Sequence, residues 1–281
     1  MPELPEVERL RRTLVRALTG ARFDHVRLNR ADLRAPFPPG FARALRGQRV
    51  RALRRRGKYL LAELVSGDIL IMHLGMSGWF RVEKTTPRAR RRRDPNRDLE
   101  TRHDHVVFSM SSGKTVTFND PRRFGVMDLV AANHLAGHRT LGRLGPEPLS
   151  RAFDADALAR RLSNRRISLK AALLDQRVVA GIGNIYASEA LHHARLSPFR
   201  LASTLAGARH TARDARERLV DAIKSVLRRA IALKEGDRAR AARFRVYERE
   251  GEPCPTPGCR GTIARAWQAG RSTFYCATCQ R

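Results

Sequence analysis

The sequence predicts an α+β protein: a strand-rich N-terminal part, then a helical part, then a small cysteine module. Three observations carry this. Residues 21–130 break into short runs rich in Val, Ile, Leu and Phe, bounded by Gly, Asp, Asn or Pro. Beyond residue 150 the apolar residues recur at helical spacing instead. All four cysteines fall between Cys254 and Cys279. Strand runs followed by helix runs read as segregated layers or domains, and several short strands in succession suggest a β-sandwich or barrel. The expected division is 1–135, a linker over 136–150, a helical domain over 151–249, and a cysteine hairpin over 250–281.

In chain order, the first element is a helix. Pro5 suits a first turn, where its missing N–H has no partner to lose, and Glu6 and Glu8 match the positive end of the macrodipole. Val7, Leu10, Leu14 and Leu18 share a face, and Gly20 stops the helix. Strands are predicted over Ala21–Asn29, Gln48–Arg54, Tyr59–Val65, Asp68–Leu74, Asp104–Met110, Lys114–Asn119 and Val126–Val130. The run Arg88–Arg93 reads as a flexible, solvated basic loop, with loose phosphate contact as its functional alternative. Gly142, Gly145, Pro146 and Pro148 mark the linker. Asp154 can cap a helix over Ala155–Leu162; Leu169–Leu174 and Ile185–His193 form a pair joined by a turn; Leu219, Ile223, Val226, Ala230 and Ile231 mark the apolar face of a long helix ending near Leu233.

Composition narrows the partner. Fifty-six Lys and Arg against 27 Asp and Glu leave a formal charge of +29, which implies a polyanion, nucleic acid ahead of a membrane surface. No apolar run approaches the ~18 residues of a membrane helix, and the acidic, proline-containing start does not read as a secretory signal. A soluble intracellular protein is expected, and in a reducing compartment clustered cysteines favour a metal over disulfides.

Several motifs carry chemistry. Met1 precedes a small residue and is of the kind normally trimmed, which would expose the secondary amine of Pro2. An α-amino group has a pKa of roughly 8, so about a tenth is neutral at pH 7 and able to attack a sugar carbon as an iminium-forming nucleophile. Glu3 places an acid or base beside it. An acidic, proline-capped helix start without chemistry is the plainer reading. Cys254 and Cys259, then Cys276 and Cys279, form two pairs separated by sixteen residues, the pattern of a tetrathiolate zinc site. The intervening Ile263–Trp267 and Ser272–Tyr275 read as a hairpin with Arg271 near its tip, either a phosphate clamp or a surface arginine. Gly181-Ile182-Gly183-Asn184 precedes a helix and suits either phosphate binding or a tight packed turn. Met76 between Gly75 and Gly78, and Phe124 beside Arg122, sit on turns where they either wedge between bases or fill a core. Lys58 after Gly57 is either surface charge or an amine held near reacting groups, and His103-Asp104-His105 fits a hydrogen-bonded strand start better than a metal site.

Taken together, these residues resemble the formamidopyrimidine-DNA glycosylases, base-excision enzymes for oxidised purines. The resemblance runs the whole length, through Pro2–Val7, Gly57–Leu60, His73–Gly78, Asp120–Gly125, Gly142–Leu149, Gly181–Ala187 and the cysteine module. Leu4 and the Gly75–Gly78 turn point to the purine branch rather than to the related endonuclease VIII enzymes. The resemblance implies an N-terminal β-sandwich, a helix–two-turn–helix domain and a zinc hairpin holding one Zn²⁺, in a bifunctional glycosylase/AP lyase that acts by β,δ-elimination. It implies Pro2 as nucleophile, Glu3 as the acid for sugar ring opening, Lys58 as an aid to elimination, and Arg271 on phosphate and in the second elimination. Met76, Arg122 and Phe124 would fill the gap left by a flipped nucleotide, with His73, His103, Arg165, Lys170 and Asn184 as further DNA-contacting positions. The implied partner is damaged double-stranded DNA, bound by a monomer in the bacterial cytoplasm at the nucleoid. The chain departs from the family in three places. Four residues separate the first two cysteines instead of two, the basic loop is longer, and Leu233–Arg249 lacks a threonine-rich stretch and glycine loop.

A polyanion-binding surface of this kind neutralises several phosphates. Affinity for duplex DNA, followed by fluorescence anisotropy, should fall about 10³-fold or more between roughly 50 and 200 mM salt. A flat salt response would remove nucleic acid as the partner.

Overall fold

The computed structural model describes residues 1–84, 101–233 and 244–281; the run Arg88–Arg93 and residues 234–243 of the short segment lie outside the described residues. The chain divides into two units, Met1–Gly142 and Arg143–Arg281.

The first unit opens with α1 (Leu4–Leu18). Glu3 is its N-cap, in a capping box in which the Glu3 N–H donates to the Glu6 carboxylate at 3.0 Å. Val7, Leu14, Ala17 and Leu18 are buried, and Gly20 turns the chain away at φ +80°. Two antiparallel four-stranded sheets follow. One has the order β1 (Phe23–Leu28), β6 (Asp104–Met110), β7 (Lys114–Asn119), β5 (Trp79–Lys84). The other has the order β2 (Val50–Arg56), β3 (Tyr59–Leu64), β4 (Asp68–His73), β8 (Val126–Ala131). Their inner faces share one core with α1, including Phe23 edge-to-face on Phe108 at 5.2 Å and Phe80 tilted against Phe118 at 5.0 Å. The sandwich matches the expected class.

Among the strands and α-helices, two were not anticipated: β5, and the single-turn α2 (Phe41–Leu45). In β5, Phe80 is buried and Val82 partly so, and the strand pairs with β7 along its whole length. Three of its six residues are charged, which masks a period-2 signal that is nevertheless present.

The second unit contains α3 (Ala155–Leu162), α4 (Leu169–Leu174), α5 (Asn184–His193), α6 (His210–Ala232) and the hairpin β9 (Ile263–Gln268)–β10 (Arg271–Cys276). Asp154 caps α3 by accepting from the Ala157 N–H at 2.7 Å, as its position predicts. Helix α5 is buried on most of its surface, from Tyr186 to His192, and is the centre of this unit. The stretch 136–150 is close-packed, not open. A Cβ on Gly142 would strike the Ala136 carbonyl, and one on Gly145 would lie 2.6 Å from the Arg177 carbonyl. These glycines serve close backbone approach, whereas the sequence reads them as punctuation.

Gly75 shows the same constraint most sharply. It sits at φ +64°, and a Cβ there would overlap the Phe124 carbonyl group and lie 2.6 Å from the Gly125 nitrogen. Gly67, at φ +90° with open space around it, isolates backbone strain alone. Gly75→Ala should therefore lower stability by about 3 kcal/mol or more and Gly67→Ala by only about 1 kcal/mol, compared by urea unfolding. Equal losses would show that the loop contact tolerates a methyl group.

Candidate nucleic-acid and metal sites

The chain start is built into the first unit rather than frayed. Glu3 is 2 % exposed and Pro2 half-buried at the capped end of α1. One turn on, Glu8 accepts from Arg11 at 2.9 and 3.0 Å and from Arg55 at 3.2 Å. Burial works against the Glu8 carboxylate, but Arg11 and Arg55 outweigh it and hold its pKa below the usual range. Arg55 also donates to the Gly57 carbonyl at 2.9 Å. A single guanidinium thus ties the start of α1 to the two-residue hairpin loop that carries Lys58, itself buried. Gly57 takes φ +56°, which a two-residue hairpin loop needs at its first position.

His73 ends β4 opposite Tyr59, its ring 4.6 Å from the tyrosine ring. Its Nδ1 accepts from the Gly75 N–H at 3.0 Å, so in the neutral ring the proton resides on Nε2. Burial, with the charges of Lys58 and Arg34 nearby, pushes its pKa down to about 4.

The loops after β4 and β7 are locked together by Asp120, which has no exposure. Its Oδ1 accepts from the Ser77 hydroxyl at 2.6 Å and its Oδ2 from the Gly125 N–H at 2.7 Å, while the Arg122 N–H donates to Ser77 Oγ at 3.2 Å. This lock brings Met76, Arg122 and Phe124 onto one pair of loops. Met76 is half-buried; Phe124 is 40 % exposed, with the Arg122 guanidinium 4.8 Å over its ring. Arg123 takes a left-handed φ of +57°, strain of the kind held at functional loops. His103 joins the same group: its carbonyl accepts from the Asp120 N–H at 3.0 Å, and it lines a pocket of about 480 Å³ with Asn29, Arg30 and Arg123.

In the second unit, Gln176 staples the glycine turn, accepting from the Gly181 N–H at 2.8 Å and donating to the Ile182 carbonyl at 2.8 Å. Gly183 is the N-cap of α5 and offers no side-chain cap. Asn184 Nδ2 donates to the Ser272 carbonyl at 3.0 Å, leaving its buried Oδ1 without a partner among the described residues. Lys170 donates to the same carbonyl at 2.8 Å and to Thr273 Oγ1 at 2.7 Å. Lys170, which the resemblance implies as a DNA-contacting position, is 1 % exposed, and its ammonium anchors the hairpin. Arg271, next to Ser272, is exposed and follows a two-residue turn in which Ala269 and Gly270 both have positive φ. Arg165 is half-buried and donates to Asp175 at 2.8 Å. Arg177 first, and then Arg165, hold the Asp175 carboxyl far below the usual range.

The four cysteine sulfurs lie within 4.8 Å of one another and none is in a disulfide. Cys254 and Cys279 are 3.8 Å apart, Cys259 and Cys276 3.7 Å. Burial pushes Cys279 up to about 12, whereas at Cys254 hydrogen bonds from Thr256 overcome burial and bring it down to about 7. Four thiols this close cannot all ionise against one another without a cation, and four sulfurs in this geometry fit one zinc ion.

Some participants had no usable sequence signal. Asp120, Glu189, His192 and the Arg55–Glu8 pair act through contacts distant in the chain. Asp120 left a trace as an Asp-Pro turn and Glu8 as an acid of the first helix, but neither trace pointed to its partner.

A strand sandwich bearing basic and aromatic loops, joined to a glycine-turn helix pair and a tetrathiolate hairpin, defines a zinc-finger nucleic-acid-processing protein. Three family models match in order: the formamidopyrimidine-DNA glycosylase N-terminal domain over residues 1–127, the H2TH domain of those enzymes over 144–240, and the zinc finger found in FPG and IleRS over 251–281. The formamidopyrimidine-DNA glycosylase of Azorhizobium caulinodans is 54 % identical, with all of both chains covered. The crystal structure of the MutM (Fpg) protein of Thermus thermophilus is 39 % identical, with a TM-score of 0.80 over 99 % of this chain and 98 % of that one. That of the Lactococcus lactis protein in complex with Fapy-dG-containing DNA is 28 % identical, with a TM-score of 0.82 over 99 % and 100 %. The chain belongs to the formamidopyrimidine-DNA glycosylase family.

The depressed His73 pKa carries a stability consequence. Between about 4 and its ordinary 6.5 the unfolded chain binds a proton that the folded ring refuses, so stability rises with pH across that window. The linked contribution is on the order of 3 kcal/mol, complete above pH 6.5 and lost as pH falls toward 4. His73→Gln should flatten that part of the stability–pH curve measured by denaturant unfolding; an unchanged slope would show that the ring is protonated in the fold.

Proposed function

We propose that this chain excises oxidised purines, 8-oxoguanine and formamidopyrimidines, from duplex DNA and then cleaves the strand, with Pro2 as nucleophile. After removal of Met1, the neutral Pro2 nitrogen attacks the anomeric carbon of an extruded nucleotide. The bond from that carbon to the base breaks, the base leaving with the bonding pair and taking up the proton that the attacking nitrogen gives up. Glu3 donates a proton to the deoxyribose as the ring opens, and the resulting iminium acidifies the adjacent carbon. Loss of that proton expels the 3′ phosphate, and a second elimination expels the 5′ phosphate. Lys58 assists the eliminations, and Arg271 grips phosphate for the second.

The observation that carries this reading is the chain start itself. Pro2 and buried Glu3 stand at a capped helix end that Arg55 fastens to the Lys58 loop. Met76, Arg122 and Phe124 suit a wedge that replaces the extruded nucleotide, since their loops are rigid and their side chains reach solvent. His73, His103, Arg165 and Asn184 serve as DNA contacts, and the tetrathiolate holds zinc that keeps the hairpin folded. The division into a sandwich over 1–135, a joint over 136–150, a helical domain over 151–249 and a finger over 250–281 follows this assignment. The protein acts as a monomer in the bacterial cytoplasm, at the nucleoid; no helix among the described residues is long and apolar enough to cross a membrane.

Borohydride reduction during reaction with an 8-oxoguanine duplex should trap the protein covalently through Pro2, and mass spectrometry should find Pro2 at the mature N-terminus. Glu3→Gln should lower excision by about 10²-fold or more, and Pro2→Gly should abolish the trap while zinc content is kept. A retained Met1 with no adduct would instead make this a non-catalytic DNA-binding protein.

A further inference from the structure

Helix α5 ends beside the cysteines, and the side chain it places there is His192, 1 % exposed. His192 Nε2 lies 3.4 Å from Cys254 Sγ, 3.3 Å from Thr256 Oγ1 and 4.0 Å from Cys279 Sγ. On the other side of the ring, Arg245 Nε donates to Nδ1 at 3.3 Å. A guanidinium can only donate, so Nδ1 accepts and Nε2 carries the proton. Nε2 then has no lone pair to offer a metal, and its N–H points at the Cys254 sulfur and the Thr256 oxygen. Thr256 Oγ1, accepting there, is free to turn its own proton toward Cys279 Sγ, 3.8 Å away.

We propose that His192 is a positioning residue for the metal centre, donating through Nε2–H to the Cys254 thiolate and, through Thr256, supporting Cys279. The relay runs Arg245, His192, then Cys254 and Thr256, then Cys279, with every donor facing an acceptor. It gives a use to the two extra residues between Cys254 and Cys259. Thr256, 8 % exposed, is held in that enlarged knuckle by the Cys259 N–H, which donates to its carbonyl at 3.0 Å, and Arg245 reaches the neighbouring Pro255 carbonyl at 3.4 Å. A hydrogen bond to a bound thiolate withdraws charge from sulfur and fixes its direction, and partners of this kind typically alter metal affinity by about 10- to 100-fold. The relay also couples the metal site to the same helix that begins at Asn184.

The test is zinc loss from the full-length, zinc-loaded protein in excess EDTA, read by metal analysis after desalting. His192→Phe keeps the bulk and removes the donor, and should release zinc about 10- to 100-fold faster. His192→Gln restores an N–H near the Nε2 position and should recover most of the lost retention. In cobalt-substituted protein, the sulfur-to-metal charge-transfer band should shift to lower energy in the Phe variant and return toward wild type in the Gln variant, which a packing defect would not reproduce. Should His192→Phe fail to fold, Thr256→Val removes only the hydroxyl and should still speed release and shift the band. Wild-type release and an unmoved band in the Phe variant, or in Thr256→Val where that variant must be used, would overturn the proposal. So would Phe and Gln variants that lose zinc equally fast.

Discussion

Asp120 is sealed from solvent, and a buried carboxylate is tolerable only when donors fill its oxygens. Ser77 and the Gly125 N–H fill them, and both donors come from loops that would otherwise be free to drift. Removing one donor would leave an uncompensated charge, which is far costlier than the bond is worth. The loops are therefore held together, and Met76, Arg122 and Phe124 ride on that pairing. The second unit uses the same constraint. Buried Glu189, in the middle of α5, accepts the N–H groups of Arg245, Val246 and Tyr247 at 2.8–3.0 Å, pinning the chain where it enters the cysteine module.

Small residues make these locks possible. Gly75, Gly78 and Gly125 each face a backbone or the Phe118 ring at distances where a methyl would not fit. The loops pack as if they belonged to the core, while Phe124 and Arg122 remain outside it. An exposed aromatic ring beneath a guanidinium has little packing to lose in the base-stack contact proposed for it. The lock supplies the stiffness that the proposed wedge needs, because a mobile wedge would lose side-chain entropy each time it inserted.

The hairpin module shows how a segment too small for a core of its own can be held. Its buried cluster is Val246, Cys254, Ile263, Phe274 and Cys276. Metal supplies one staple. Lys170 and Asn184 supply another by converging on the Ser272 carbonyl, next to Arg271. The lysine's burial follows from this: its three donors suit a carbonyl and a hydroxyl in a site where water is excluded.

What could be read from the chain alone was what depends on local periodicity and covalent spacing. The capped first helix, seven of the eight sandwich strands, the helices at Ala155, Leu169 and Asn184, and the paired cysteines all repeat a pattern over a few residues. Strand β5 escaped because charge on its outer face diluted a six-residue signal. Pro2, Glu3, Lys58 and Arg271 stood out as residue types in recognisable motifs, but their surroundings did not. That Lys170 is buried, that Arg55 joins Glu8 to Gly57, that Asp120 fastens two loops and that His192 faces a cysteine are decided by contacts across 43 to 102 positions of chain. Such contacts form only when the sheets and helices pack, since desolvation and hydrogen-bond geometry are properties of the assembled interior, not of the neighbouring residues.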